Sequence, residues 1–267
     1  MVVTTLEVDR NISKLRLHSK AFSEVTNKEL ATMFEQSLQN LKSIAYFWAT
    51  IGADNKGVKE SIAEGEEWLG GPFASTLGLQ YYIDYLLKNN DSLINESVII
   101  DNKINIFPTK NIEKLLFPFI TADLHFNNNM TKTDILQTRG FGNRLGFTKG
   151  ITLILGAGNV SSIPLLDTIY DMVVNRHTIL LKLNPVNEYL KPVFEKVFEN
   201  FIEKGFLVVT QGDIDISKYM TEHSGITNMH LTGSDKTYEN IVYGHTLTEN
   251  EKGKKTLKKI NKKSFTT

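Results

Sequence analysis

The chain has 267 residues, of which 41% are hydrophobic and 22% are charged, an ordinary balance for a protein that folds around an apolar core. Its 30 lysines and arginines equal its 30 aspartates and glutamates, so net charge does not favour nucleic acid or an anionic membrane as a partner. The sequence contains no cysteine, which excludes disulfides, thiolate metal sites and a cysteine nucleophile among these residues. No apolar run approaches the roughly 20 residues of a membrane-spanning helix and no signal peptide is visible, so we expect a cytoplasmic protein.

Residues 1–96 are predicted to form a mainly helical N-terminal region. From about Asn27 to Asn90, apolar residues recur at the three- and four-residue spacing of amphipathic helices. We interpret the aromatic side chains here as core packing, and they are Trp48, Trp68, Tyr81 and Tyr82.

Residues 97–149 are predicted to form a connecting region of strands and loops. The runs Val98–Ile100 and Ile104–Phe107 are short and β-prone, and Asn, Gly and Thr residues separate them. The three asparagines at Asn127–Asn129 indicate a loop or turn.

Residues 150–245 alternate continuous apolar strands with segments of helix length. The predicted strands are Ile151–Leu155, Ile179–Leu183, Phe206–Val209 and Asn228–Leu231, and the predicted helices are Ile163–Val174, Glu188–Lys204, Ile214–His223 and Ser234–Tyr243. Buried strands joined by helices are typical of a parallel, doubly wound sheet. The sequence therefore predicts an α/β fold, a Rossmann-like parallel sheet with flanking helices, preceded by the helical region.

Residues 246–267 form a lysine-rich segment with few apolar residues. We interpret it as a solvated connector or tail. A nucleic-acid patch is the weaker alternative, because no aromatic residues interleave the lysines and no recognition fold precedes them.

Ligand-compatible residues follow three of the predicted strands. The first strand runs into Gly156 and Gly158, but Ser161 stands where the ordinary Gly-x-Gly-x-x-Gly fingerprint has its last glycine. Lys182 lies at the end of the second strand, where it is either a ribose ligand or a surface lysine. The fourth strand runs into Thr232–Ser234. Ser234 can cap the helix that follows, and the free N–H groups in the first turn of that helix can receive a pyrophosphate.

Parallel strands present their carboxyl ends at one edge of the sheet, and ligands bind beyond that edge. We therefore expect Asn159, Lys182 and the Gly233-Ser234 turn to lie along one edge and to face a common crevice. We also expect apolar side chains to be exposed there.

Other chemistry-bearing patterns are absent from the sequence. The six histidines never show ligand spacing, so we predict no metal site. We interpret His230, which lies on an apolar strand, as a core histidine with satisfied hydrogen bonds. The sequence has neither a Walker loop nor a Gly-x-Ser-x-Gly elbow.

From about Gly150 to Gly244 the sequence resembles the aldehyde dehydrogenase family. Gly158-Asn159 with Pro164 downstream is similar to the family's first-strand motif, and Thr232-Gly233-Ser234 is similar to its Thr-Gly-Ser turn. The resemblance implies NAD or NADP as cofactor, held by Gly156, Gly158, Lys182, Thr232, Gly233 and Ser234. It also implies that Asn159 is the catalytic donor to the oxyanion formed when a thiolate attacks an aldehyde.

The departures from the family pattern concern both cofactor and catalysis. Gly158 stands where most members carry a tryptophan, and Pro185 where many carry an acidic ribose partner. The family's glutamate base and nucleophilic cysteine are not among these residues, so this polypeptide alone is expected to be inactive.

The resemblance thus implies the N-terminal cofactor-binding portion of an NAD(P)-dependent aldehyde dehydrogenase whose catalytic half is missing from this chain. The implied partners are an aldehyde in the complete enzyme and a complementary catalytic polypeptide or a second copy of the chain. Two alternatives remain: a fragment of an acyl-CoA reductase of the same superfamily, and a noncatalytic nucleotide- or partner-binding module.

Overall fold

The computed structural model describes residues 3–87, 102–108, 111–126, 130–131, 133–134, 149–252 and 264–266. The chain divides into two compact units, Met1–Leu86 with Phe141–Thr267, and Leu87–Gly140. The N-terminal helices and the parallel sheet thus belong to one unit, although the sequence patterns treat them as separate regions. Val98–Ile100 and Asn127–Asn129 lie outside the described residues.

Residues 3–87 contain four α-helices: α1 (Thr5–Ser23), α2 (Asn27–Lys56), α3 (Glu64–Trp68) and α4 (Ala74–Leu87), with a π-helical turn at Leu69–Phe73. A capping box starts α2, because the Thr26 side chain accepts from the Glu29 N–H and the Glu29 carboxylate accepts from the Thr26 N–H. Gly57 ends α2 in the left-handed conformation, with φ of 67°. The predicted helical N-terminal region is confirmed, and α1 extends it upstream of the periodic segment.

Only part of the aromatic core prediction holds. Trp48 is buried and Tyr82 is partly buried against the core. Trp68 and Tyr81 are 37% and 48% exposed, so the interpretation is wrong for these two. Both lie on the helical stretch from α3 to α4, whose other face holds the buried Ser75, Leu79 and Ile83.

The smaller unit contains a two-stranded antiparallel sheet of β1 (Lys103–Phe107) and β2 (Ala122–His125), with α5 (Asn111–Leu116) between the strands in sequence. The predicted strand at Ile104–Phe107 is therefore confirmed. The register is interrupted by an irregularity between Asn105 and Phe107.

The larger unit contains a five-stranded, fully parallel sheet in the order β5-β4-β3-β6-β7. Its strands are β3 (Ile151–Leu155), β4 (Thr178–Lys182), β5 (Leu207–Thr210), β6 (Asn228–Leu231) and β7 (Ser264–Thr266). The helices between and after them are α6 (Ile163–Val174), α7 (Lys191–Val197), α8 (Glu199–Glu203), α9 (Ile214–Glu222), α10 (Asp235–Tyr243) and α11 (Glu249–Lys252).

Successive residues of each strand bury opposite faces of this sheet. Ile179 and Leu181 pack with α2, α4 and α6 to α8 in the larger core. Leu153 and Leu180 pack on the other face with residues of α1 and α9. The predicted parallel sheet with flanking helices is confirmed.

The predicted helix Glu188–Lys204 is wrong as a single element. The structure has a 3-10 helix at Pro185–Leu190, followed by α7 and α8, which are separated at Phe198. Pro192 lies in the first turn of α7 and has no N–H, so it cannot donate the helical hydrogen bond that would join α7 to the preceding turn.

The lysine-rich segment contributes to the sheet, which its composition does not predict. Residues 253–263 lie outside the described residues, but Ser264–Thr266 forms β7 and pairs in parallel with β6. Upstream, Lys252 bridges Glu239 and Asp235 of α10 at 3.4 and 3.5 Å. No helix in the described part of the chain is long and apolar enough to cross a membrane.

Candidate functional site

The candidate site lies at the carboxyl ends of β4, β3 and β6. Leu155, the last residue of β3, is in register with Lys182 on one side and with Leu231 on the other. Gly156 and Thr232 directly follow these strands. Because neighbouring strands stand about 4.8 Å apart, the three strand ends lie within about 10 Å along one edge. The prediction that Lys182 and the loops carrying Asn159 and Gly233 lie along one edge of a parallel sheet is therefore confirmed.

The loop after β3 packs closely against the loop after β4. The Gly156 N–H donates to the Lys182 carbonyl at 2.9 Å, and the Asn187 side chain donates to the Ala157 carbonyl at 3.1 Å. A Cβ at Gly158 would lie 2.9 Å from side-chain atoms of both Asn184 and Val186. Contacts within the chain therefore account for the glycine at position 158, without a bound ligand.

The Asn159 side chain is exposed at this edge, immediately after the packed Gly158. Its neighbour Val160 lies close to the π-helical turn at Leu69–Phe73, since a Cβ built at Gly70 would be 3.5 Å from the Val160 side chain. Asn159 is thus carried by a loop that is held on both sides and leaves its amide accessible.

Two hydrogen bonds connect this loop to the N-terminal helices, a connection that the sequence pattern does not predict. The Trp48 indole N–H donates to the Ser161 hydroxyl at 3.2 Å, and the Ser162 N–H donates to the Gly70 carbonyl at 3.0 Å. A Cβ at Gly71 would lie 2.8 Å from the Ser161 hydroxyl. The adjacent glycines Gly70 and Gly71 were the sequence feature that could have indicated this contact, because glycine allows another segment to approach the backbone closely.

Lys182 ends β4 and is 5% exposed. Burial lowers the pKa of its ammonium group, while the charges of Glu188 and Asp213 oppose that shift. No carboxylate in the described ranges lies within ion-pair distance of it. Glu188 and Asp213 thus act on this buried lysine by charge without an ion pair, so its ammonium group can still donate to a ligand.

The turn after β6 leaves open space at Gly233. Its φ is not positive, and a Cβ there would make only an ordinary contact with Leu231 at 3.5 Å. The fold itself therefore does not require glycine at this position. Ser234 caps α10 by accepting from the Thr237 N–H at 3.2 Å, as its sequence position predicts.

The start of α10 is already partly satisfied within the chain. Besides the Ser234 cap, the Asp235 carboxylate accepts from the Lys236 N–H at 2.9 Å. Fewer N–H groups are thus available to a pyrophosphate than the sequence pattern suggests.

Apolar side chains are exposed at the same edge, as expected. Val186, in the loop after β4, is 65% exposed, and Ile214, at the start of α9, is 83% exposed. Neither lies within the two core clusters.

A group of buried polar side chains lies between α6 and strand β6, beside the apolar core. Asp171 is fully buried, and its Oδ2 accepts from Asn175 at 2.8 Å and from Asn228 at 3.3 Å. Burial raises the pKa of Asp171, against opposing hydrogen bonds and the charges of His177 and His230. The second oxygen, Oδ1, has no hydrogen-bond partner among the described residues.

His230 belongs to this group, and its predicted role needs one correction. It is buried, and its Nε2 lies 3.2 Å from Oδ1 of Asp167 on α6. Its Nδ1 has no partner in the part of the chain that the structure describes, so the histidine is in the core but only half satisfied. No group of three or more His, Asp or Glu side chains within those residues could hold a metal ion.

Comparisons with known proteins identify the fold. No protein-family model matches the chain, and no curated protein matches it. A glyceraldehyde-3-phosphate dehydrogenase from Methanocaldococcus jannaschii, complexed with NADP, matches 99% of this chain at 11% identity and a TM-score of 0.60. An aldehyde dehydrogenase from Bartonella henselae matches 90% of it at 11% identity and a TM-score of 0.58.

A third solved structure is a Sinorhizobium meliloti protein described as a methylmalonate-semialdehyde dehydrogenase and complexed with NAD. It matches 91% of this chain at 10% identity and a TM-score of 0.58. The chain spans 41%, 42% and 46% of the lengths of these three solved chains. It therefore has the fold of a part of the aldehyde dehydrogenases, and the resemblance inferred from the sequence is confirmed for the fold.

Proposed function

We propose that this chain is the cofactor-binding portion of an NAD(P)-dependent aldehyde dehydrogenase, an oxidoreductase that acts on aldehydes. The proposal rests chiefly on one observation, the alignment of the Asn159 loop, Lys182 and the Gly233 turn along one sheet edge. The solved structures of similar fold include complexes with NAD and with NADP, which supports the same cofactors here.

The residues at the edge suit a dinucleotide in their chemistry. The Lys182 ammonium would donate to the adenosine ribose, and the open space at Gly233 would admit the pyrophosphate close to the backbone. Bound NAD or NADP would supply hydride acceptance. The exposed amide of Asn159 would donate to an oxyanion on the substrate, while the thiolate that attacks the aldehyde would have to come from outside these residues.

The remaining elements of the proposal concern partners and location. The substrate is an aldehyde, and the catalytic thiol would be supplied by a complementary polypeptide region. A homo-oligomer and a cytoplasmic location also remain predictions from the sequence.

Lys182→Met is expected to weaken NAD binding by at least tenfold. Loss of a hydrogen bond to a charged group costs about 1.5–3 kcal/mol, which corresponds to that factor or more. Methionine keeps the buried stem of the side chain, so the fold should be preserved. Isothermal titration calorimetry of the 267-residue chain measures the effect. Lys204→Met is the matched control, because Lys204 is exposed and precedes β5 at the opposite edge. Equal affinities of the wild type and Lys182→Met would remove Lys182 from the site.

Gly233→Val is expected to weaken NAD binding by at least tenfold while changing the free energy of unfolding by no more than about 0.5 kcal/mol. Among the described residues, a Cβ at position 233 would make only an ordinary contact with Leu231 at 3.5 Å, so the substitution should displace a ligand with little effect on the fold. Calorimetry and urea denaturation give the two quantities.

Gly158→Ala is the comparison variant, because here the added side chain should affect the stability of the fold. Its Cβ would overlap Asn184 and Val186, so we expect it to lower the free energy of unfolding by about 1–3 kcal/mol. If Gly233→Val binds NAD as tightly as the wild type, the cofactor does not approach this turn.

A further inference from the structure

Two carboxylates lie beside Lys182 at the edge of the sheet. Lys182 is in register with Thr210, and the next N–H, that of Leu183, donates to the Thr210 carbonyl at 2.9 Å. The residues that follow β4 and β5 therefore leave the sheet side by side. Glu188 comes from the first of these segments and Asp213 from the second.

Hydrogen bonds hold both carboxylates in place. Glu188 Oε1 accepts from the Gly212 N–H at 3.2 Å, which bridges the two segments. Asp213 Oδ1 caps α9 by accepting from the Ile216 N–H at 3.0 Å. Gly212 has φ of 147° and a Cβ there would lie 2.7 Å from Ile216, so only glycine suits this turn.

The charges around the strand end are mainly negative. The two carboxylates act on the Lys182 ammonium group and raise its pKa against the effect of burial. The flanking segments, residues 183–190 and 211–213, contain no arginine and no other lysine. One partly desolvated cation thus faces two anions.

We propose that Glu188 and Asp213 make this edge select the ribose 2′-hydroxyl of NAD over the 2′-phosphate of NADP; this inference rests on the proposed function. A 2′-hydroxyl can donate to a carboxylate, whereas a 2′-phosphate would bring further negative charge toward two carboxylates. Recognition of a 2′-phosphate ordinarily uses an arginine, which these segments lack. The acidic partner is supplied from Glu188 and Asp213 instead of position 185, where the chain has proline.

The test compares NAD and NADP binding by calorimetry on the 267-residue chain. We expect the wild type to bind NAD at least tenfold more tightly than NADP. In the double variant Glu188→Gln, Asp213→Asn this ratio should fall at least fivefold, mainly because NADP binds more tightly. Glutamine can still accept from Gly212, and asparagine remains a good helix cap, so the turn should be kept.

The matched control is Glu222→Gln at the far end of α9, about 13 Å along the helix from Asp213. It removes one negative charge and should leave the ratio unchanged. The preference should also weaken at higher ionic strength, because salt screens the repulsion.

The possible outcomes separate this inference from the proposed function. Equal binding of NAD and NADP by the wild type, tighter binding of NADP, or an unchanged ratio in the double variant would overturn the inference and leave the proposed function intact. Binding of neither dinucleotide would overturn the proposed function and the inference with it.

Discussion

Replacing Trp48 by alanine is expected to lower the free energy of unfolding by about 3–5 kcal/mol, the largest effect that we expect from a single substitution in this chain. Trp48 is 1% exposed and packs edge-to-face on Phe194, with ring centroids 5.5 Å apart. Its indole N–H also donates to Ser161. Truncation would leave a large cavity between α2 and α7 and would release the loop that carries Asn159.

Trp48→Phe separates the two contributions. Phenylalanine keeps most of the apolar packing but cannot donate to Ser161, so we expect a smaller loss, of which the hydrogen bond accounts for about 0.5–1.5 kcal/mol. Urea denaturation followed by circular dichroism measures both variants. A loss below about 1 kcal/mol for Trp48→Ala would contradict the burial and packing that we describe, because full truncation of a core aromatic ring costs several times more.

Asp171→Asn is expected to raise the free energy of unfolding at pH 8, by about 1–3 kcal/mol relative to the wild type. Burial raises the pKa of Asp171 above its ordinary value of 3.8, so the folded chain holds this proton more tightly than the unfolded chain. The stability that the proton gives is fully present below pH 3.8 and is lost as pH rises through the raised pKa of the folded state. Asparagine has no such proton, so the variant should lose less stability over the same range.

The surroundings of Asp171 support this sign. The groups that act on it are Asn175 on α6, Thr152 on β3, Asn228 and His230 on β6, and His177 before β4. Among the described residues, the charges that act on it are those of His177 and His230, and no lysine or arginine is among them. The carboxylate is therefore buried without a full counter-charge, which is a costly arrangement above its pKa.

The measurement is urea denaturation of wild type and variant between pH 4 and 8. Asp215→Asn on α9 is the control, since Asp215 is exposed and its replacement should change the free energy of unfolding by no more than about 0.5 kcal/mol at any of these pH values. If Asp171→Asn is less stable than the wild type at pH 8 and shows the same pH dependence, Asp171 does not carry this cost.

The sequence alone predicted the sheet and its ligand-compatible edge. Runs such as Ile151–Leu155 are apolar throughout because both faces of a parallel strand are covered, and that pattern is local. The position of Lys182 at a strand end followed from the same pattern. Parallel strands share the direction of their carboxyl ends, so the common edge also followed without coordinates.

Local pattern was insufficient where the chain interrupts or extends an element. The apolar periodicity from Glu188 to Lys204 continues through Pro192 and Phe198, but the backbone there changes from a 3-10 helix to two short α-helices. Periodicity reports which side chains are buried and does not report the backbone hydrogen bonds. The strand at Ser264–Thr266 likewise depends on the free edge of β6, not on its own composition.

Tertiary structure decided which polar groups meet and which glycines the fold needs. Trp48 and Ser161 are 113 residues apart in sequence, and Asp171 meets Asn228 across 57 residues. Gly158 and Gly233 look alike in sequence, yet neighbours crowd the first and leave the second open. The physical reason is that the spacing of apolar residues within a strand or helix predicts which of its faces is buried. Hydrogen-bond partners and the space around a Cβ depend instead on residues that only folding brings together.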